Sequence, residues 1–202
     1  MNVSSLLNTA LEELLGRVRP VLAVVMDKRR GAGAGILLGN GLVLTNAHVA
    51  GGGRALQVVL PDGETYPARL VASDKNVDLA LLEIPHTGHV AAVLSEEMPR
   101  PGEMVFAFGH PWGQRNVLTG GVLSAVTSLR GRGGEIPVLR ADVQLAPGNS
   151  GGPLLNAAGE VIGLNAMIFG GDQSVAIPAG LIREFMEAAF EKMPVRAGEG
   201  VL

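Results

Sequence analysis

The sequence predicts a mainly β protein built as two closed six-stranded barrels in tandem, with one helix before the first and one after the second. Two observations carry this expectation. Glycine (29 residues) and proline (12 residues) are spread through all 202 positions, as suits many short strands joined by tight turns. Apolar repeats at helical spacing occur near the two ends, and everything between them is a series of short apolar runs broken by turn residues. With 47% hydrophobic and 17% charged residues, the chain has the material for a packed core and is not a disordered one.

Taken in order, Ser4 or Ser5 is expected to cap a first helix over 4–18. Leu7, Leu11, Leu14, Leu15 and Val18 form its apolar stripe, and Gly16 and Pro20 bracket its end. Its polar face is acidic, so packing on the domain is the reading rather than a membrane anchor. The first barrel is expected within 19–92. Its strands are Val21–Met26, Gly35–Leu38, Leu42–Thr45, Leu56–Leu60, Tyr66–Ala72 and Val77–Ile84, with hairpin turns at Gly39-Asn40-Gly41 and Pro61-Asp62-Gly63-Glu64. His86 to Pro101 reads as a connection with a rigid proline end. The second barrel, within 100–178, takes Glu103–Gly109, Val117–Ser128, Ile136–Val143, Gly152–Leu155, Glu160–Ile168 and Ser174–Ile177. Arg130–Gly134 reads as a mobile loop by composition, and Asn156–Gly159 as a hairpin. A closing helix over 178–193 presents Leu181, Ile182, Phe185, Met186, Ala189, Phe190 and Met193 on one face. The tail Val195–Leu202 is short and polar, so the whole of 1–202 is read as a single domain.

Several function classes recede on composition. A net charge of −3 offers no electrostatic footprint for nucleic acid, and the basic run Lys28-Arg29-Arg30 reads as a solvated loop. The absence of cysteine removes disulfides, cysteine-ligated zinc and a cysteine nucleophile together. No metal or other cofactor is expected. No apolar run reaches the length of about 18 residues that a membrane span needs, and Met1–Leu15 does not read as a signal peptide. A cytoplasmic location is the simplest expectation for the chain as written. A chain trimmed of its export signal would be periplasmic or otherwise extracytoplasmic.

Chemistry concentrates in three places. In Pro147-Gly148-Asn149-Ser150-Gly151-Gly152-Pro153 a serine lies between glycines, which leave its hydroxyl unshielded and let consecutive N–H groups converge on one spot. That pairs a candidate nucleophile with a candidate anion hole at Gly148, Asn149 and Ser150. Such a turn is common loop material by itself, so a base and an acid must be found. Among four histidines, His86 and His89 fall in the connection and His110 in a turn, where a local hydrogen bond is the ordinary role. His48 instead ends an apolar strand through Thr45-Asn46-Ala47-His48-Val49, where an imidazole needs a partner. Asp78 opens the run Leu79–Leu82, where a carboxylate is costly without a donor such as His Nδ1–H. Asp74, between Ser73 and Lys75, reads as a turn cap.

The order His48, Asp78, Ser150 is that of the chymotrypsin triad. The strings TNAHV, VDLALLEI and APGNSGGPLLNAAGEVIGLNAM, supported by AFGHPWG, TGGVLSAV and VAIP, resemble the protease domain of the HtrA (Deg) family of trypsin-like serine endopeptidases, from about Val21 to Met193. The resemblance implies a chymotrypsin-like double barrel that hydrolyses peptide bonds of unfolded or partly unfolded proteins. Ser150 would be the nucleophile, His48 the base and then acid, and Asp78 the residue that orients it. The N–H groups of Gly148 and Ser150 would form the oxyanion hole, with the Asn149 peptide shaping the turn. Leu145 on one side and Ala166, Met167, Ile168 and Phe169 on the other would bind the P1 residue. No acidic residue stands at those positions, so the expected P1 preference is small or medium aliphatic. Gln144 is a further candidate for that wall, and an outward-facing strand position suits it equally.

The family also implies a homotrimer with contacts from the N-terminal segment. The short remainder after Met193 leaves no room for a PDZ domain, and the short segment Asp27–Gly35 argues against a large cage. His110 stands where the family commonly has asparagine, and Ser128–Glu135 where similar enzymes have a sensor loop. Two other readings stay in play: a catalytically latent peptide-binding or chaperone-like module using the same cleft, and an esterase. The α/β-hydrolase form of the latter is disfavoured by the order of the three residues.

Overall fold

A computed structural model describes residues 2–27, 31–53, 55–85, 88–131, 134–169 and 173–192, apart from the side chains of 131, 167–169 and 173. The basic run Lys28–Arg30, His86, Met193 and the tail Val195–Leu202 lie outside that description.

Among the described residues, twelve strands close into two barrels. The first joins β1 (Leu22–Asp27), β2 (Gly31–Gly39), β3 (Leu42–Thr45), β4 (Leu56–Val59), β5 (Thr65–Asp74) and β6 (Leu79–Glu83) in the order β1-β2-β3-β6-β5-β4. The second joins β7 (Met104–Gly109), β8 (Val117–Gly131), β9 (Gly134–Ala141), β10 (Pro153–Leu155), β11 (Val161–Phe169) and β12 (Gln173–Pro178) in the order β10-β11-β12-β9-β8-β7. Neighbouring strands pair antiparallel throughout both barrels.

Three apolar cores explain why the strands read as unbroken hydrophobic runs. Ala23, Val25, Leu37, Val43 and Leu82 fill the first barrel, and Val105, Ala107, Leu123, Leu139 and Ile162 fill the second. Intervening residues of the same strands, Leu22, Ile36, Leu44, Phe106 and Phe108 among them, meet in a third cluster together with both terminal helices. Each such strand is therefore buried on both faces, so side-chain alternation leaves no polar positions in the sequence.

Several elements depart from expectation for physical reasons. β2 begins at Gly31 rather than Gly35, because Gly31–Ala34 pair with Val24–Asp27 through the backbone alone. Gly35 sits where a Cβ would stand 2.7 Å from Val25 Cγ2, so small residues there reflect crowding and not a loop. The glycine-rich stretch expected as a loop at Arg130–Gly134 is mostly ladder: Arg130 pairs with Glu135 and Gly131 with Gly134, and Ser128 Oγ donates to Glu135 Oε2 at 2.7 Å. Arg132 and Gly133, between them, lie outside the described residues.

Helix α1 (Val3–Val18) is capped by Asn2, whose Oδ1 accepts from Ser5 N at 2.9 Å, rather than by Ser4 or Ser5. Leu14 and Val18 are buried, while Val3–Ala10, Leu7 included, are exposed, so the expected stripe packs along its C-terminal half. Pro178 caps the closing helix α3 (Ala179–Glu191) with its extended backbone. The connection between barrels is pinned to both: Ala92 N donates to Leu37 O, and Ser95 N and Val161 N exchange bonds with Val161 O and Val93 O.

Candidate active site

The pairing of β3 with β6, Thr45 opposite Ala80, brings the ends of two distant segments together. Beyond β3 the chain turns through Asn46 into a single helical turn, α2 (Ala47–Ala50), which holds His48. Just before β6, Asp78 adopts the left-handed region with φ 57°, a conformation that costs an aspartate energy and persists when its surroundings fix it. Here they do. The Asp78 carbonyl accepts from Ala47 N (3.1 Å) and Asn46 Nδ2 (3.0 Å). Its carboxylate accepts from His48 N at Oδ1 (2.9 Å) and lies 2.7 Å from His48 Nδ1 at Oδ2. An ionised carboxylate on Nδ1 selects the tautomer with its proton there, leaving Nε2 as the basic nitrogen. The His48 side chain is half exposed, so Nε2 is accessible to a substrate.

Ser150 belongs to a turn between β9 and β10 whose peptide planes are set one by one. Pro147 O accepts from Trp112 N (2.9 Å), so the N–H of the same peptide, on Gly148, points the other way. Gly148 O accepts from His110 N (3.3 Å), which turns Asn149 N back to Ala146 O (2.9 Å). Asn149 O accepts from Gly152 N (3.0 Å), which turns Ser150 N away in its turn. Gly148 N and Ser150 N make no hydrogen bond among the described residues. Two glycines make this course possible. Gly148 has φ +108°, and a Cβ there would collide with the His110 carbonyl. Gly151 has φ +85°, and a Cβ there would collide with Ala34 O and Thr45 Oγ1.

The turn is tied to the first barrel as well. Ala34 N donates to Ser150 O at 2.8 Å, and Ala34 O accepts from the buried Thr45 hydroxyl at 2.8 Å. Thr45 lies three residues before His48, so the strand that presents the imidazole also braces the serine. Neither Ala34 nor Thr45 was singled out by sequence reasoning; the signal available was a hydroxyl at the end of an apolar strand. Ser150 Oγ donates to Ala166 O at 3.0 Å and, among the described residues, makes no bond to His48. The base and acid are therefore engaged with each other while the hydroxyl is engaged with the Ala166 carbonyl.

A cleft of about 350 Å³ opens over these groups, lined by Gly31–Gly33, His48, Val49 and Leu145–Ser150. Leu145 stands in its wall. Ala166 is buried and meets Ser150 through its carbonyl. Met167, Ile168 and Phe169 continue β11 beside Val175, Ser174 and Gln173, and their side chains lie outside the described residues. Gln144 is exposed and, with Trp112, Asp142 and Leu145, borders a neighbouring cavity of about 570 Å³; its carbonyl accepts from Thr119 Oγ1 at 2.9 Å.

Two further expectations on polar groups match the geometry. Asp74 Oδ1 caps its turn by accepting from Asn76 N at 2.8 Å. His110, 6% exposed, makes the local bond expected of a turn residue, accepting at Nδ1 from Asn116 N at 3.3 Å. Burial pushes its imidazole down to about 4, the Arg115 guanidinium beside it adds to the drop, and the Ala23 carbonyl works in the opposite direction.

Comparison with known proteins agrees with this arrangement. Residues 33–164 match the model of a family described as a trypsin-like peptidase domain. "Serine protease HTRA1" of Xenopus laevis is 37% identical over 193 residues, which cover 91% of this chain and 41% of that protein. "Probable periplasmic serine endoprotease DegP-like" of Halomonas elongata is 38% identical over 145 residues, 71% of this chain and 31% of that protein. The chain therefore spans less than half the length of these curated relatives. Among solved structures, "HtrA-type protease AlgW with decapeptide" superposes with a TM-score of 0.82 at 27% identity, covering 90% of this chain and 67% of that one. No described helix is long and apolar enough to cross a membrane. The two barrels with their terminal helices are the chymotrypsin-like fold, and the chain, similar to HtrA and DegP serine proteases, belongs to the family of trypsin-like peptidase domains.

Proposed function

We propose that this domain is a serine endopeptidase acting on unfolded or partly unfolded polypeptides through His48, Asp78 and Ser150. The observation that carries the reading is the 2.7 Å His48–Asp78 pair beside one cleft, lined by His48, Gly148 and Ser150, in which the N–H groups of Gly148 and Ser150 have no partner among the described residues. In the reaction, Ser150 Oγ leaves Ala166 O, passes its proton to His48 Nε2 and bonds to the scissile carbonyl carbon. The negative charge that develops on the carbonyl oxygen is met by Gly148 N–H and Ser150 N–H. His48 then gives the proton to the departing amine, and a water repeats the sequence to release the acyl group. Asp78 stays ionised, holding the ring and stabilising its charged form.

The side chains expected to receive P1 (Leu145, Ala166, Met167, Ile168 and Phe169) carry no acid, which supports a preference for small or medium aliphatic P1 residues. Cleavage-site profiling on an unfolded protein tests both parts. The expected outcome is cleavage after aliphatic residues that vanishes in Ser150→Ala; an Arg or Lys bias contradicts the specificity, and undiminished turnover by the variant contradicts the mechanism. The reading includes a homotrimer, supported by the exposed Val3 (82%), Leu6 and Leu7 on α1 and by Trp112 (75% exposed). Light scattering at working concentration should give three chain masses, and a monomer mass removes that part.

A further inference from the structure

The loop His110–Asn116 carries the peptide orientations on which an anion hole would depend. Its own backbone donates to both carbonyls at issue: Trp112 N to Pro147 O, and His110 N to Gly148 O. The loop and the turn are in contact with no space between them, since even one added carbon on Gly148 would meet the His110 carbonyl. A shift of this loop therefore moves Gly148 N–H.

The loop is also held under strain. Trp112 (φ 53°) is left-handed, an outlier for a bulky side chain, while Asn116 (φ 61°) is a residue type that tolerates that region. Such conformations persist where bonds at the loop's ends over-determine them. Gly113 N donates to His110 O (3.1 Å) and Gln114 N to Pro111 O (2.9 Å), which closes the first turn. The return is closed by a side chain: Asn116 N donates to His110 Nδ1 at 3.3 Å. The ring that accepts this bond is buried, and its Nε2 makes no hydrogen bond among the described residues. Accepting at Nδ1 requires that nitrogen to carry no proton, so the proton of the neutral ring resides on Nε2.

We propose that His110 is a positioning residue for the oxyanion turn, acting as a neutral acceptor that staples the His110–Asn116 loop beneath Pro147 and Gly148. The inference rests on the peptidase reading for its effect on rate. The residue touches neither substrate nor reacting atoms; it acts through the two backbone donors of its loop. What the position needs is an acceptor at the δ atom of the side chain. Asparagine offers one, Oδ1, on an atom of the same topological place, whereas leucine offers a methyl group of similar reach and no acceptor.

The test compares His110→Leu with His110→Asn on a peptide substrate, with thermal melts to verify folding and fluorophosphonate labelling of Ser150 to verify the nucleophile. Loss of a whole oxyanion donor costs about 10²–10³ in kcat, so misalignment of one should cost roughly 10–100-fold. His110→Leu is expected to show that fall in kcat with KM changed by less than about threefold, and His110→Asn to recover most of it. Equal losses in the two variants, a wild-type kcat in His110→Leu, or a loss carried by KM would each overturn the staple. Should the leucine variant fail to fold, nitrogen NMR of the wild-type ring decides: an unprotonated Nδ1 at neutral pH supports the proposal, and a protonated Nδ1 overturns it. Wild-type protein that neither cleaves peptide nor labels at Ser150 would instead remove the peptidase reading, and the ring measurement would still decide the staple.

Discussion

The two halves of the candidate site are built by different means. On the first barrel, His48 and Asp78 are held by side chains: both carboxylate oxygens are used, and Asn46 secures the Asp78 carbonyl. On the second, the Pro147–Gly152 turn is held mainly by backbone: the Pro147 and Asn149 carbonyls accept from Trp112 N and Gly152 N, which leaves Gly148 N and Ser150 N without a hydrogen bond among the described residues. The contrast follows from what each half must supply. A proton relay needs a particular tautomer, which a charged partner selects. A developing oxyanion needs several aligned donors in a small space, which consecutive peptide planes provide and side chains would crowd. The first half should therefore be sensitive to the chemical identity of its side chains, and the second to whatever displaces its backbone.

Asp78→Asn challenges the first half most sharply. It keeps the shape but removes the charge that selects the Nδ1–H tautomer, and a fall in kcat of about 10⁴ is expected, with the fold retained by circular dichroism. A loss below tenfold would mean that His48 is oriented without Asp78. Gly148→Ala challenges the second half. It adds one methyl group to a residue at φ +108° against the His110 carbonyl, and kcat should fall by about 10²–10³ although no side-chain chemistry has changed. Unchanged turnover in that variant would break the claim that peptide geometry is what the turn contributes.

The smallest expected effect concerns stability rather than rate. The His110 ring has its folded value near 4 against an ordinary 6.5, so between those values the unfolded chain binds the extra proton and the folded chain does not. Stability from this residue is fully present above about 6.5, is lost as pH falls toward 4, and levels off below that. The gap corresponds to about 3 kcal/mol. The urea midpoint of wild type should fall relative to that of His110→Asn as pH drops across that range. Parallel curves would show that the ring is not held neutral.

Much of this was legible in the sequence because polar residues were placed where they could not be cheap. A histidine and an aspartate at the ends of apolar strands, and a serine among glycines, mark themselves by context; His48 and Ser150 line one cleft, and Asp78 pairs with His48 at 2.7 Å. The strands were legible because burial on both faces makes them continuous apolar runs. What escaped was contributed by backbone. Gly31–Ala34 carry no hydrophobic signal, yet they form part of β2, Gly31–Gly33 line the cleft, and Ala34 N holds Ser150 O. The β8–β9 ladder runs through glycines that composition marks as a loop, because pairing asks for N–H and C=O groups and not for side chains. The role of the His110–Asn116 loop was hidden for the same reason, since its links to the turn are amide to carbonyl.

The central claim is that Ser150 lies in a turn already shaped for catalysis, needing a side-chain rotation and no partner. Covalent titration of the isolated wild-type domain with a fluorophosphonate, read by intact mass and peptide mapping, tests it most directly. The account predicts one equivalent of label on Ser150 without any added effector, lost in Ser150→Ala and slowed by orders of magnitude in His48→Ala. Folded wild-type protein that takes up no label on Ser150 would contradict it.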